Sequence, residues 1–396
     1  MMRAIGGVVG EELRKRFGTP LYVYDASVVS KRSRELLEAF PGMLVHYAVK
    51  ANANPALLKI IKEEGLGAEA VSPGELLVAE HAGFKKKDIS FTGPSLTEAE
   101  LRFVANRAGR VHLDSLTQLE TWGRLKLGST VSLRLNLGIG AGHHAHVKTG
   151  GDGSKFGIVP RDIPHAKERA ARHGLAITGL QQHIGSHVPD GSDYIEGAAA
   201  LLKAAREFPD VVHVDFGGGF GVPYRSGEKQ LNLKRIGREV LRLVRNFERQ
   251  TGRSASYALE PGRFPIAEAG YLLVSVTDRK ETAAHTFIGV DSGFNHLIRP
   301  ALYGAHHEIE NMSRMSYRRE SVTIAGNICE SGDVFAWNRG MPVPKIGDIL
   351  AIKNAGAYGI SMASTYNLRA LPQEILIKNG KVKDITFDRF PFLVRL

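Results

Sequence analysis

The chain has 396 residues, of which 43% are hydrophobic and 23% are charged, as in globular proteins with a well-buried core. This length favours one barrel-sized domain together with a smaller second domain. The 52 Lys and Arg residues outnumber the 41 Asp and Glu residues, which gives a formal net charge of +11. Because these cations lie between apolar positions of predicted helices, they indicate a solvated basic surface and argue against a nucleic-acid interface.

Three further classes of protein or site are disfavoured by local sequence. The apolar patch at residues 4–9 is short and leads directly into Glu11, Glu12 and Arg14, so we predict no secretory signal and no membrane span, and expect a cytoplasmic protein. The single cysteine, Cys329, excludes an internal disulfide and a cysteine-built metal site. No metal site is predicted for the histidines either, because no pattern of acids or cysteines accompanies those at 143, 144, 146, 306 and 307.

Short β-branched or alternating runs alternate with helical patterns in the first two thirds of the chain. Strands are predicted over residues 44–49, 66–71, 89–92, 111–114, 131–135, 177–184, 211–216 and 257–259. Helices are predicted between most of them, over residues 55–64, 74–81, 97–106, 117–125, 163–173, 194–207 and 233–250. Eight strands that alternate with helices favour an α/β fold of the (β/α)8 TIM-barrel type over an open sheet.

The sequence pattern changes after residue 270. Strands are predicted over 272–276, 286–290, 322–325, 349–353 and 374–378, with few helices between them. The pair Asn379-Gly380 between two such runs is a hairpin signal. We expect residues 21–24 to add a strand to this region, so residues 26–270 form the barrel and residues 1–25 and 271–396 form an all-β domain.

Chemically reactive or phosphate-binding residues follow almost every predicted barrel strand. Function collects at the carboxyl ends of barrel strands. The residues there are Lys50, Glu69, Thr92, Asp114, Arg134, His183, Gly217, Gly218, Gly219 and Glu260.

Lys50 follows an apolar strand, where a partly desolvated amine suits Schiff-base chemistry, although a lone lysine there more often extends to the surface. The three glycines after Asp215 could direct backbone N–H groups at a phosphate or could serve a tight turn. Glu260 could pair with a protonated pyridine nitrogen, or form a surface ion pair. His183 could lie flat on a cofactor ring, or be structural. Taken together, these features describe one cofactor, pyridoxal 5′-phosphate.

Six motifs stand in the order seen in the fold-type III pyridoxal-phosphate decarboxylases, which the chain resembles from about Phe17 to Arg369. Within that family the sequence is most similar to the diaminopimelate decarboxylases. The motifs are Tyr47–Asn52, His183–Ser186, Gly217–Gly221, Glu260–Arg263, Cys329–Asp333 and Ala355–Gly359.

The resemblance implies an alanine-racemase-like barrel with a C-terminal β-domain, in a homodimer whose active sites are shared. It also implies roles for single residues: Lys50 holds the cofactor covalently, His183 stacks on its ring and Glu260 binds its nitrogen. The further cofactor-binding residues implied are Glu69, Arg134, Ser186, Gly217, Gly218, Gly219, Gly262, Arg263 and Tyr358. The implied substrate-binding residues are Arg263, Arg299, Tyr303, Glu330 and Tyr358.

Loss of CO2 from an amino acid leaves a carbanion that an acid must protonate, and the resemblance gives this role to Cys329 of a partner subunit. A glutamate and two arginines suit a substrate whose far end carries both an ammonium and a carboxylate group, as meso-2,6-diaminopimelate does, and its product would be L-lysine. The chain departs from the family at Glu69, where Asp is more usual, and in the loop at residues 90–95. A decarboxylase of ornithine, lysine or a carrier-bound amino acid therefore stays an alternative, and a non-catalytic cofactor-binding regulator is a remoter one.

Overall fold

The computed structural model describes residues 4–142, 153–186, 190–313 and 318–396. The chain divides into two compact units. The barrel unit comprises Arg32–Gly221, Gln230–Phe264 and Asp388–Leu396, and the β unit comprises Met1–Lys31, Val222–Lys229 and Pro265–Phe387. The described residues contain no helix that is both long and apolar enough to cross a membrane.

The first elements along the chain end in a strand of the β unit and a longer helix. They are β1 (Ala4–Ile5), β2 (Val8–Val9), α1 (Gly10–Phe17), β3 (Leu21–Asp25) and α2 (Ala26–Ala39). Helix α1 has acids in its first turn and bases in its last, which complements the helix dipole, and it buries Leu13. Leu13 packs with Leu21 and Val23 of β3 in the core of the β unit.

The barrel unit carries the predicted alternation of strands and helices. Its strands are β4 (Leu44–Ala48), β5 (Gly67–Ala70), β6 (Ile89–Phe91), β7 (Arg110–Leu113), β8 (Thr130–Arg134), β9 (Ala141–Gly142), β10 (Ala176–Gln181), β11 (Gly185–Ser186), β12 (His213–Asp215) and β13 (Ser256–Leu259). Its further helices are α3 (Pro55–Glu63), α4 (Pro73–His81), α5 (Glu98–Arg107), α6 (Leu116–Arg124), α7 (Ile163–Arg172), α8 (Ser192–Ala205) and α9 (Leu233–Thr251).

Eight of these described strands are parallel and close into a barrel, in the order β4-β5-β6-β7-β8-β10-β12-β13. The prediction of a (β/α)8 barrel is therefore confirmed. The short strands β9 and β11 pair with each other outside the barrel. Side-chain caps at Ser72, Thr97 and Ser115 begin three of the helices, as expected for hydroxyl residues that precede a first helical turn.

Several predicted barrel strands are shorter in the structure, such as residues 211–216, of which only His213–Asp215 form β12, and the shortening at residues 177–184 is the one that affects the site. Residues 177–184 were all expected to be extended, but β10 ends at Gln181. Gln182 still donates its N–H to the Asp215 carbonyl at 3.1 Å, as the last bond between β10 and β12, and its own carbonyl lies against Gly217, where the chain leaves the sheet. The departure from the strand brings His183 to the end of the barrel.

The rest of the chain forms mainly antiparallel strands. The elements are α10 (Arg263–Ile266), β14 (Gly270–Glu281), β15 (Thr286–Val290), α11 (Arg299–Tyr303), β16 (Ile309–Asn311), β17 (Arg319–Ala325), β18 (Val334–Pro342), β19 (Ile349–Ile352), β20 (Gln373–Lys378) and β21 (Lys381–Asp384). The strand predicted at residues 21–24 is present as β3, and it lies between β14 and β20. The predicted hairpin joins β20 to β21, and both of its turn residues have positive φ, +53° at Asn379 and +72° at Gly380.

Candidate active site

A cavity of about 300 Å³ lies at the carboxyl ends of the barrel strands. Residues from six different strand ends reach it, which is the usual construction of an active site on this fold. Its lining residues are Lys50, Glu69, Val71, Thr92, Pro94, Arg134, Phe156, Gln181, His183 and Glu260. The structure therefore brings together five residues that the sequence predicted: Lys50, Glu69, Arg134, His183 and Glu260.

Lys50 lies in a single 3-10 turn, Val49–Ala51, that follows β4 directly. Its Nζ atom donates to Glu69 Oε2 at 2.8 Å. The Glu69 side chain is only 1% exposed, whereas that of Lys50 is 35% exposed. The amine is thus held inside the cavity by a buried counter-charge, and the alternative of a lysine that extends to the surface does not describe this residue.

Glu260 follows β13 and lies on the cavity wall. Its Oε2 atom accepts a hydrogen bond from Gln181 Nε2 at 2.7 Å, while its Oε1 atom is buried without a partner among the described residues. Burial raises the pKa of Glu260 well above its usual value, and the neighbouring Asp215 and Glu69 carboxylates raise it further. A buried, unpartnered carboxylate oxygen requires an explanation, and a protonated ring nitrogen would satisfy it.

His183 lies on the same wall in its neutral form. Its Nδ1 atom accepts the Gly218 N–H at 3.1 Å. Burial, followed by the nearby cations of Lys50 and Arg134, lowers the pKa of His183 well below 6.5. The proton of the ring is therefore on Nε2, and the flat uncharged face is suited to stacking on an aromatic ring.

The three glycines after β12 have different roles. A Cβ atom on Gly217 would lie 2.1 Å from the Gln182 carbonyl oxygen, and one on Gly218 would lie 2.2 Å from that of Glu260, so packing alone requires both glycines. Their N–H groups are also in use, since Gly217 donates to Asp215 Oδ1 at 2.8 Å and Gly218 donates to His183. No described residue accepts the Gly219 N–H. Gly219, with φ +129°, is therefore the glycine whose amide can bind an anion.

Arg263 and Ser186 meet in the barrel unit, where Arg263 Nη2 donates to Ser186 Oγ at 2.9 Å. Gly262, which directly precedes Arg263, is buried. Arg134 is also buried, its guanidinium 3.4 Å from Asp114 Oδ1 and 4.5 Å from the centre of the Phe156 ring. Arg134 thus forms part of the cavity wall and holds other wall residues in place.

Glu75 was missed by the sequence analysis. It accepts the Val71 N–H at 2.9 Å, and burial together with the nearby Glu69 carboxylate raises the pKa of this carboxyl to about 7. The sequence did carry a signal, because Ser72 followed three residues later by Glu75 is the pattern of a capping box at the start of α4. That pattern predicts a helix start but not a titrating group beside the cavity.

The other predicted residues lie in the β unit. Arg299 is 1% exposed, its Nη1 atom 2.8 Å from His307 Nε2 and its guanidinium 4.7 Å from the centre of the Tyr224 ring. Tyr303 ends α11 and is half-buried, as is Tyr358, which has φ +57°. Cys329 and Glu330 are exposed.

The histidines raised in the sequence analysis divide into two groups. Those at 143, 144 and 146 lie outside the described residues. His306 contacts Arg339 and the Glu308 carboxylate, and His307 contacts Arg299, so each of the two histidines has a cation beside it. Among the described residues, buried ligand atoms of His112, His213 and Asp215 lie within 4.8 Å of one another. Both ring nitrogens of His112, however, already bond to serine hydroxyls, at 2.6 and 3.0 Å.

A larger cavity of about 550 Å³ lies within the β unit and contains none of the predicted site residues. Its charged side chains form pairs with one another, such as Arg339 with Glu308 at 3.4 Å and Lys353 with Glu310 at 3.2 Å. The cavity at the barrel end, with its unpartnered carboxylate oxygen, is the better candidate for catalysis.

A lysine held by a buried acid, a free amide at a glycine turn and a buried acid facing the cavity together define an enzyme of the pyridoxal-phosphate class. Comparison with known proteins agrees. Residues 26–267 match the family model described as "Pyridoxal-dependent decarboxylase, pyridoxal binding domain". A diaminopimelate decarboxylase of Methanothermobacter thermautotrophicus is 40% identical, covering 98% of this chain and 93% of its own, and that of Escherichia coli K12 is 35% identical, covering 94% and 91%.

Solved structures give the same result. A crystal structure of diaminopimelate decarboxylase superposes with a TM-score of 0.90 at 34% identity, covering 96% of this chain and 94% of its own. That of the M. jannaschii diaminopimelate decarboxylase in co-complex with L-lysine superposes with a TM-score of 0.89 at 32% identity, covering 96% and 92%. The chain belongs to the diaminopimelate decarboxylase family of pyridoxal-dependent decarboxylases. It is a pyridoxal-phosphate-dependent amino-acid decarboxylase.

Proposed function

We propose that the chain removes CO2 from meso-2,6-diaminopimelate to form L-lysine. The observation that carries this proposal is that Lys50 and Glu260 lie in one barrel-end cavity. Lys50 is bonded to the buried Glu69, and Glu260 has a buried oxygen without a hydrogen-bond partner among the described residues. Relatives that are 33–40% identical over nearly the whole chain are diaminopimelate decarboxylases, and L-lysine is bound in structures of two further diaminopimelate decarboxylases, which are 32% and 30% identical.

The residues present fit pyridoxal 5′-phosphate. Lys50 would hold the cofactor covalently, Glu260 Oε1 would bind the ring nitrogen, His183 would stack on the ring, and the Gly219 amide with Ser186 would bind the phosphate. Glu69, Arg134, Gly262, Arg263 and Tyr358 complete the proposed cofactor site. When bound, the cofactor supplies an electron sink for the charge left as CO2 departs.

The chain's own groups prepare that chemistry. Glu69 holds the Lys50 amine in place, so the nucleophile enters the cavity from a fixed direction. The raised pKa of Glu260 belongs to the cavity without a facing cation; beside a ring nitrogen Glu260 would be a carboxylate and would keep a proton on that nitrogen, and neutral His183 would add no competing positive charge. Gln181 fixes the Glu260 carboxylate, which leaves only Oε1 for the ring.

The substrate's far end is the part that distinguishes it from ornithine or lysine. We propose that Arg263, Arg299, Tyr303, Glu330 and Tyr358 bind the substrate. Guanidinium groups would bind a carboxylate by paired hydrogen bonds, and Glu330 would bind the distal ammonium. Cys329 would protonate the α-carbon after CO2 leaves.

We further propose a homodimer in the cytoplasm, in which each copy supplies Cys329 and Glu330 to the other. The exposure of both residues supports this arrangement. Residues 26–270 would bind the cofactor, while residues 1–25 and 271–396 would complete the site. Sedimentation of the cofactor-loaded chain tests the dimer, and cell fractionation tests the location.

An ornithine or lysine decarboxylase is the competing activity. Structures of lysine/ornithine decarboxylase from Vibrio vulnificus share this fold, with a TM-score of 0.80 at 22% identity. CO2 release from each of the three amino acids separates the candidates. Release from ornithine alone would overturn the diaminopimelate proposal, and cofactor binding without any release would support a regulatory protein.

A further inference from the structure

Cys329 and Glu330 are contacted by a second segment of the β unit, the 3-10 turn Tyr366–Leu368. The Tyr366 hydroxyl donates to Glu330 Oε1 at 2.8 Å. The next residue, Asn367, accepts the Cys329 N–H on its Oδ1 atom at 2.9 Å. Two adjacent residues of one segment therefore bond to two adjacent residues of another.

The backbone of the turn is adapted to these contacts. Asn367 and Leu368 both have φ of +56°, in the left-handed region that asparagine tolerates better than most residues. This conformation presents the Asn367 side chain to the Cys329 amide. A bulky or β-branched residue at position 367 would be strained there.

Both segments are anchored to the same loop. The Tyr366 ring stacks on Phe294, with centroids 6.0 Å apart and planes 18° apart. Asp333, at the end of the Cys329 segment, accepts the Phe294 N–H at 2.6 Å and the Ile328 N–H at 2.7 Å. The Tyr366 turn and the Cys329–Glu330 segment thus both contact the Phe294 loop, although Tyr366, Cys329 and Glu330 are exposed.

We propose that Tyr366 and Asn367 are positioning residues, Tyr366 for the carboxylate of Glu330 and Asn367 for the backbone that carries the Cys329 thiol. This inference rests on the proposed roles of Glu330 and Cys329. A free glutamate side chain samples several rotamers, and fixing one of them in advance lowers the entropy lost on binding. The bond to Oε1 leaves Oε2 for the distal ammonium of the substrate.

The hydroxyl of Tyr366 is suited to this role because it stays a donor. Its hydrogen bond to Glu330 raises the pKa of the Tyr366 phenol. A phenylalanine would keep the stacking on Phe294 and lose only the donor.

Kinetics of the cofactor-loaded enzyme test the two roles separately. For Tyr366→Phe we expect KM for meso-diaminopimelate to rise by about tenfold and kcat to stay within about twofold. The reason is that the Glu330 carboxylate loses the charge-assisted hydrogen bond that orients it for substrate binding. For Asn367→Gly, which keeps the left-handed backbone but removes the acceptor, we expect kcat to fall by about fivefold or more with KM unchanged. For Asn367→Asp, which keeps an acceptor oxygen, we expect kcat close to that of wild type.

A matched control exists in the barrel unit. Tyr257 donates to Glu248 Oε1 at 3.3 Å, a tyrosine–glutamate pair outside the site, so Tyr257→Phe should leave both kinetic constants unchanged. Equal KM in wild type and Tyr366→Phe, or an equal fall of kcat in Tyr366→Phe and Asn367→Gly, would overturn the inference.

The rotamers of Glu330 in crystals test the positioning role independently of the proposed activity. In cofactor-loaded Tyr366→Phe crystals we expect Glu330 to occupy several rotamers, and an unchanged single rotamer would overturn the positioning role whatever the activity. If wild type releases no CO2 from meso-diaminopimelate, the proposed function fails. If wild type is active, Cys329→Ala is not, and Tyr366→Phe equals wild type, only the positioning inference fails.

Discussion

The Lys50 Nζ atom and the Glu69 Oε2 atom lie 2.8 Å apart, on the ends of neighbouring strands β4 and β5. The pair crosses from one strand end to the next inside the barrel, and Glu69 is almost completely buried. A buried carboxylate persists where a cation compensates it, so each residue fixes the other. The position of the Lys50 amine is therefore set by two neighbouring strands, because the Glu69 carboxylate on β5 holds the lysine that follows β4.

Replacing Glu69 should therefore affect Lys50 directly. We expect Glu69→Gln to lower kcat by about tenfold or more, because the amine loses its counter-charge and its fixed position. Glu69→Asp should retain more activity, since the charge remains at a greater distance. Steady-state CO2 release measures both variants, and Glu69→Gln with wild-type kcat would show that the pair is dispensable.

Replacing Glu260 should separate cofactor binding from catalysis. We expect Glu260→Gln to keep the cofactor, because Lys50 and the phosphate contacts remain, but to lower kcat by about a hundredfold as the ring nitrogen loses its proton. Visible absorbance of the purified variant gives cofactor content, and CO2 release gives kcat. A variant with full cofactor content and unchanged kcat would contradict the assigned role.

The glycine turn should be sensitive to a single methyl group. Gly218→Ala would place a Cβ atom 2.2 Å from the Glu260 carbonyl oxygen, so we expect the free energy of unfolding to fall by about 2 kcal/mol or more. Gly340→Ala, where no atom lies within 4 Å of the added Cβ, is the matched control and should change it by less than about 1 kcal/mol. Urea unfolding compares them, and equal midpoints would show that the turn can relax.

The raised pKa of Glu75 predicts a pH-dependent stability. Because burial raises this pKa from 4.5 to about 7, the folded chain keeps a proton that the unfolded chain releases as the pH rises. The free energy of unfolding of wild type, relative to Glu75→Gln, should fall by at most about 1.4 kcal/mol per pH unit between roughly pH 4.5 and 7, and be flat outside that window.

Urea unfolding at several pH values measures this difference, and the exposed Glu38→Gln is its control. Parallel curves for wild type and Glu75→Gln across the window would mean that Glu75 titrates normally in the fold. A free energy of unfolding of wild type, relative to Glu75→Gln, that rises with pH across the window would have the opposite sign to the one expected.

Sequence reasoning reached much of the fold and the site for physical reasons. Alternating strand and helix periodicities predicted the barrel. Because the residues that follow the strands of a barrel converge at one end, the sequence also predicted a common site for Lys50, Glu69, Arg134, His183 and Glu260. The hairpin at Asn379 was also predictable, because only a few residues tolerate its positive φ values.

The rest depended on tertiary contacts that no local pattern encodes. Three consecutive glycines look alike in the sequence. The Gly217 amide donates to Asp215, two residues earlier, but the Gly218 amide donates to His183, which comes near only through the register of β10 and β12. The same register places Gln182 against Gly217, just after β10 ends. Tyr366 lies 36 residues from Glu330, and nothing in its neighbourhood indicates the bond between them.

The most direct test of the account is CO2 release from meso-diaminopimelate by the cofactor-loaded chain, with L-lysine measured as the second product. Wild type and Lys87→Ala, a change at an exposed lysine, should be equally active. Lys50→Ala should be slower by about three orders of magnitude or more. Comparable rates for Lys50→Ala and wild type, or no L-lysine from wild type, would contradict the account.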